Sequence, residues 1–234
     1  MKIHYIQHVP FENAGNIEAW TKANGHSLTK TVLYYDEAFP GLDTFDLLVV
    51  MGGPMNIYEE KDYPFLKREK TFIRDAVAKK KRVLGVCLGA QLISDVLGGK
   101  VTANANKEIG WFKVKLTPEA KQSPAFKSLP QEFTAFHWHG DTFSIPPGAK
   151  CMASSEATAN QAFEYDNGRV VGLQFHLEST DDGINRLTKN CGDDIKPGKF
   201  VQKKEDFLHK DEQLKEIYEL LAVFLDAMAR APSK

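Results

Sequence analysis

One stretch constrains this chain more than any other: an apolar strand that runs without a break into a cysteine set among small residues. Val83-Leu84-Gly85-Val86 leads directly into Cys87-Leu88-Gly89-Ala90-Gln91, and Leu88 to Leu97 then reads as a helix closed by Gly98-Gly99. A chain that passes from strand to helix within a residue or two needs small neighbours at the turn, and the side chain at the apex is held clear of the sheet. Free backbone N–H groups and the positive end of the helix dipole favour a thiolate at that place. The Leu88 N–H faces the position where an oxyanion would develop. A buried structural cysteine in a glycine-rich β–α turn is the alternative reading of the motif taken alone.

The segments around this turn predict an α/β fold. Residues 1–7 read as a strand, residues 13–24 as a polar helix and Leu28–Tyr34 as a second strand. Asp46–Met51 is a continuous apolar run of the kind buried on both faces of a parallel sheet, and it stops at Gly52-Gly53-Pro54. A helix over Tyr63–Lys80 precedes the Cys87 strand. This alternation predicts a doubly wound, mostly parallel sheet with helices on both faces. The second half differs: Gly110–Thr117, Phe133–His139, Cys151–Ser155, Ala162–Asp166 and Val170–His176 are short strands separated by turns, including the hairpin signal Asp166-Asn167-Gly168. They predict a small antiparallel extension. Residues 183–190 and 211–230 read as helices. The latter carries Leu214, Ile217, Leu220, Leu221, Phe224 and Leu225 on one stripe, which predicts docking on the domain. The 234 residues suit one domain over 1–190, with 191–234 an irregular segment and helix packed on it.

Ligands of doubly wound sheets bind at the carboxyl ends of the strands. Gly52-Gly53-Pro54 lies at that edge beside the Cys87 turn, so the Gly53 N–H is the candidate second oxyanion donor. Seen alone, the same residues are simply a tight turn. Gln174-Phe175-His176-Leu177-Glu178 follows the last apolar strand. His176 and Glu178, two residues apart on an extended segment, share a face. There a carboxylate fixes the imidazole tautomer, and the imidazole serves as base for the sulfur and acid for a leaving nitrogen. His137-Trp138-His139-Gly140-Asp141 is a rival constellation that could bind metal. No C-x-x-C or further His pair accompanies it, so a strand-end loop that shapes a pocket is the preferred reading.

Taken in order, Gly52-Gly53-Pro54, Gly85 to Gln91, His139-Gly140-Asp141 and Gln174 to Glu178 resemble the class I glutamine amidotransferases over roughly residues 45–180. The resemblance implies a flavodoxin-like core, a Cys87-His176-Glu178 triad and oxyanion donors at Gly53 and Leu88. It also implies substrate contacts from Gln91 and from the Trp138, His139, Gly140 and Asp141 loop. Gly52 to Tyr58 and Trp138 to Phe143 look closer to a subgroup that resembles the glutaminase half of GMP synthetase yet stands alone, and plant γ-glutamyl peptidases are similar to it. Leu177 replaces the proline and Ala90 the histidine that many members carry, which bears on substrate preference rather than on the triad.

The implied reaction is hydrolysis of a γ-glutamyl amide through a thioester, with glutamine giving glutamate and ammonia. Two alternatives stay open: a γ-glutamyl peptidase acting on γ-glutamyl peptides or glutathione conjugates, and a non-catalytic redox-sensing module. No cofactor and no metal is called for. No synthetase domain fits in this length, so the expected partners are a small-molecule substrate and a separate ammonia-acceptor enzyme. A formal charge of −1 gives no reason to expect nucleic acid or an anionic membrane, and nothing specifies an oligomer. Three cysteines, no signal-peptide pattern and no long apolar run make the cytoplasm the expected location.

Overall fold

A computed structural model describes residues 1–230; the last four residues of the 191–234 segment lie outside the described part. The apolar runs build one sheet of nine strands. They are β1 (Lys2–Gln7), β2 (Ser27–Val32), β3 (Leu47–Val50), β4 (Arg82–Val86), β5 (Val101–Leu116), β6 (Glu132–Phe143), β7 (Lys150–Ser154), β8 (Ala162–Tyr165) and β9 (Val170–Leu173). Their order is β2-β1-β3-β4-β9-β8-β7-β5-β6. The first five are parallel, in the arrangement of a flavodoxin-like sheet with β9 as fifth strand. The antiparallel extension comprises β8, β7, β5 and β6. Its hairpin between β8 and β9 turns through Asp166, Asn167 and Gly168, all at positive φ, as the sequence predicts.

Strand periodicity sorts the core into two layers. Leu47, Val49, Leu84, Val86, Val171 and Leu173 face one side; Leu48, Val50, Val83 and Val170 face the other. On the first side pack α1 (Asn16–Ala23), through Ile17 and Trp20, and α6 (Asp211–Arg230), through Ile217, Leu221 and Phe224. Trp20 Nε1 donates to Asp226 at 3.0 Å and ties these two helices together. On the second side pack α2 (Phe65–Ala78) and α3 (Leu88–Val96). Burial of both faces is why β3, β4 and β9 are apolar at nearly every position. Among the described residues no helix is long and apolar enough to cross a membrane.

Several boundaries differ from expectation for local reasons. The second strand ends at Val32, where Leu33–Tyr35 forms a 3-10 turn. β5 begins nine residues early and carries a bulge between Ala103 and Glu108; its exposed polar first half gives no period-2 signal. β6 extends through Gly140 and Asp141, so this pair belongs to a strand rather than a loop. β9 stops at Leu173, and His176 instead bridges Phe136 of β6. The irregular stretch after α4 (Asp181–Cys191) holds a one-turn helix, α5 (Lys204–Phe207), and a bridge from Val201 to Ile109.

Candidate active site

β4 and β9 are hydrogen-bonded neighbours, with Val86 opposite Leu173. Cys87 and His176 therefore emerge side by side at the carboxyl edge of the sheet. Cys87 caps α3 at φ 51° and ψ −107°, and its N–H donates to Leu173 O at 2.7 Å. The small residues of the motif are required by contact. A Cβ on Gly89 would lie 2.0 Å from the Val50 carbonyl oxygen, and one on Gly85 would lie 2.5 Å from the Gly89 carbonyl. Without side chains there, α3 settles directly onto β3 and β4.

The Cys87 sulfur sits 3.6 Å from Gln174 Nε2, which donates to it, and 3.7 Å from the Trp138 carbonyl. Gln91 Nε2 in turn donates to Gln174 Oε1 at 3.2 Å. His176 Nδ1 donates to Glu178 Oε1 at 2.7 Å, while its Nε2 meets no other hydrogen-bond partner than the Cys87 sulfur among the described residues. Burial would lower the His176 pKa, but the Glu178 carboxylate and the Cys87 sulfur outweigh it and raise the imidazole well above its ordinary range. Glu178 is itself anchored: its carbonyl accepts from Asn16 N at 2.8 Å, at the start of α1. Gly15 permits that approach, because a Cβ there would fall 2.2 Å from the same oxygen.

The sulfur opens on a cleft of about 100 Å³ whose wall includes Gly53, Leu88, Gln91, Trp138, His139, Gly140, Asp141 and His176. Every candidate catalytic, oxyanion and substrate-contact residue except Glu178 thus lines the cleft, and Glu178 lies behind His176. Gly53 and Leu88 are in contact range, since a Cβ on Gly53 would meet Leu88 Cδ2 at 2.9 Å. Trp138 packs against Phe136 and Phe207. The Asp141 carboxylate accepts from Asn56 Nδ2 at 2.7 Å, tying β6 to the segment that follows Gly52-Gly53-Pro54.

The metal-type grouping takes a different form from the one its spacing suggests. Asp141 turns to Asn56, and Glu108 of β5 joins His137 and His139 instead, with donor atoms within 4.8 Å of one another. The Glu108 Oε2 already accepts from Ser155, Thr158 and Gln161 at 3.1, 3.0 and 2.7 Å. The cluster is thus a hydrogen-bonded network. His137 is kept neutral by burial, its pKa lowered to about 3.

Sequence reasoning missed Glu12, Lys107, Leu187, Cys191 and Asp194 in the cleft wall. None lies in a recognisable motif, and they come from the β1 loop, the β5 bulge and the end of α4. The Cys191 thiol is pushed up to about 11 by burial, then by Glu12 and Asp194, so it stays protonated and unreactive.

A family model described as glutamine amidotransferase class-I matches residues 15–191. The chain is 33% identical over 199 residues to a glutamine amidotransferase-like protein, YfeJ, of Salmonella typhimurium, covering 83% of each. It is 29% identical to a glutamine-hydrolysing GMP synthase of Bacteroides fragilis over 73% of this chain but 34% of that protein. The crystal structure of a glutamine amidotransferase from Thermotoga maritima superposes with a TM-score of 0.88 at 32% identity, covering 99% of both chains. One from Methylobacillus flagellatus gives 0.89 at 27% identity, covering 98% of this chain and 94% of that one.

Proposed function

The chain belongs to the class I glutamine amidotransferase family, and we propose that within it this protein hydrolyses the γ-carboxamide of glutamine through a thioester on Cys87. The observation that carries the proposal is the 2.7 Å contact from His176 Nδ1 to Glu178, on a ring that also interacts with the Cys87 sulfur.

Cys87 attacks the amide carbon, and the carbonyl oxygen becomes an oxyanion beside the Gly53 and Leu88 N–H groups. Each such donor contributes about 3 kcal/mol of transition-state stabilisation. The His176 imidazolium gives its proton to the nitrogen, the C–N bond breaks and ammonia leaves. Water then adds to the thioester, returning a proton to His176, and the C–S bond breaks to free glutamate and the sulfur. Gln174 steadies the sulfur through its amide, and Gln91 holds Gln174. Gln91 and the Trp138 to Asp141 strand bind the amino-acid end of the substrate. A redox sensor has no use for a buried His–Glu relay, which favours the hydrolase reading.

The ammonia passes to a separate acceptor enzyme; resemblance to glutamine-hydrolysing GMP synthases, over about a third of their length, supports a partner of that kind. The test is glutamate release from L-glutamine. Wild type should release it, and Cys87→Ala should release none while keeping a native circular dichroism spectrum. Persisting activity in that variant would remove the assignment.

A further inference from the structure

Glu12 follows β1 and reaches the edge of the sheet where Cys87 and His176 meet. Gly52 provides its seat: a Cβ there would lie 2.4 Å from Glu12 Oε2 and 3.6 Å from His176 Cε1. Carboxylate and imidazole edge therefore both flank the side-chain-free face of Gly52. Among the described residues no hydrogen bond or ion pair reaches the Glu12 carboxylate. The cations nearest the cleft are engaged elsewhere, Lys107 with Asp194 and Arg186 with Asp182 and the Phe11 carbonyl. Glu12, His176 and Leu187 also form the wall shared by two cavities, the Cys87 cleft and a second one reaching Phe11, Asn13 and Glu178.

Glu12 is only partly exposed, and a carboxylate with little water and no direct partner is costly, so its place beside the reacting groups calls for a role in what passes there. The leaving nitrogen must take its proton from His176 Nε2. The adjacent ring atom, Cε1, faces Gly52 and hence the Glu12 carboxylate. An amine released by His176 thus departs alongside the Glu12 carboxylate, whose charge His176 and His8 offset only through space.

We propose that Glu12 is the specificity determinant for the amine half of the substrate: it accepts γ-glutamyl amides whose amine is neutral or cationic, ammonia among them, and rejects those whose amine carries a carboxylate, as in γ-glutamyl amino acids and glutathione-type peptides. The inference rests on the Cys87 acyl-transfer reading. Like charges a few ångströms apart in a partly dewatered cleft repel by enough to lower turnover about tenfold or more. Burial raises the Glu12 pKa to about 6, with the positive charges of His176 and His8 opposing and Glu178 assisting. It is therefore ionised at neutral pH and loses its charge as pH falls below about 6, where discrimination fades. Also bordering it are the Cys191 thiol of α4, on the cleft side, and the paired Arg186, on the other.

The test uses L-glutamine, γ-glutamylglycine and γ-glutamylglycinamide, the last two matched in size and differing in one charge. Wild type should hydrolyse the glycinamide about tenfold faster than the glycine compound in kcat/KM. Glu12→Gln should bring the two to near equality, and Glu12→Asp should keep the preference. Equal rates in wild type, an unchanged ratio in Glu12→Gln, or turnover of glutamine alone by both proteins would overturn the inference and leave the glutaminase reading standing. Absence of glutamate release from all three compounds would instead strike the acyl-transfer reading itself, and the inference with it.

Discussion

Oε2 of Glu108 lies 3.3 Å from Nε2 of His139, and both side chains are only 1% exposed. His139 Nδ1 donates to the Asp141 carbonyl at 3.0 Å. One ring thus links the β5 carboxylate to the β6 backbone. Beneath the cleft, then, this contact between β5 and β6 holds the strand segment that carries Trp138 to Asp141.

Glu108→Ala leaves the buried Thr158 hydroxyl and Gln161 amide without their acceptor, and should cost about 3 kcal/mol or more of stability, read as a lowered urea midpoint. Glu108→Gln should fold and raise KM for glutamine more than it lowers kcat. Burial would raise the Glu108 pKa, but His139, His137 and Ser155 pull it down from 4.5 to about 2. A depressed carboxyl stabilises the fold above its unfolded pKa and loses that contribution as pH falls through the folded one. Wild type should therefore lose stability between about pH 4.5 and 2, and Glu108→Gln should lack this share of the loss.

Cys87 holds a positive φ of 51° without being glycine, a conformation that costs an L-residue about 1–3 kcal/mol. Cys87→Gly relieves the cost and Cys87→Ala does not. Both should be inactive, yet the glycine variant should melt above the alanine variant, by about 1 kcal/mol of stability after glycine's own entropy is charged. Differential scanning calorimetry of the two variants decides it.

Glu178→Gln removes the main support of the protonated His176. The imidazolium is the acid for the leaving nitrogen, so activity should decline as pH rises through the raised His176 pKa. In the variant that decline should move to lower pH, with kcat at neutral pH down about 10²-fold or more. A pH–rate profile with an unmoved alkaline limb would contradict the role given to Glu178.

Gly89→Ala and Gly52→Ala should diverge, although each places a Cβ within 2.4 Å of another atom. At Gly89 the obstacle is the Val50 backbone, which has nowhere to go, and a loss of more than about 3 kcal/mol is expected. At Gly52 the nearest atom is the far end of Glu12, which can swing aside. Stability should there fall by less than about 1 kcal/mol while turnover changes. Denaturation midpoints beside glutamate release separate the two cases.

The parallel half of the sheet was readable because its signals are local: five apolar strands, two glycine turns and an elbow each declare themselves within a few residues. His176 and Glu178 were readable for the same reason, sitting two apart in one extended segment. Glu108 was not, because its partners Gln161 and His139 are neighbours only through the antiparallel register of β5 with β6 and the approach of β7 and β8. Glu12 lies in Val9-Pro10-Phe11-Glu12, which reads as an ordinary turn; its contact with Gly52 depends on β1 and β3 being adjacent in space. The stretch after α4 looked shapeless because its order comes from Gln202 clamping the Trp111 backbone at 2.9 and 3.1 Å, which no periodicity records.

That clamp, with the Val201 bridge to Ile109 and Phe207 beneath Trp138, sets the sequence of events during synthesis. The ribosome makes the sulfur, the elbow and even the imidazole before it makes the residues that complete and brace the cleft. A nascent chain can own its whole reactive trio and still lack an enclosed chamber. The cleft is complete only once the later segment has emerged and docked.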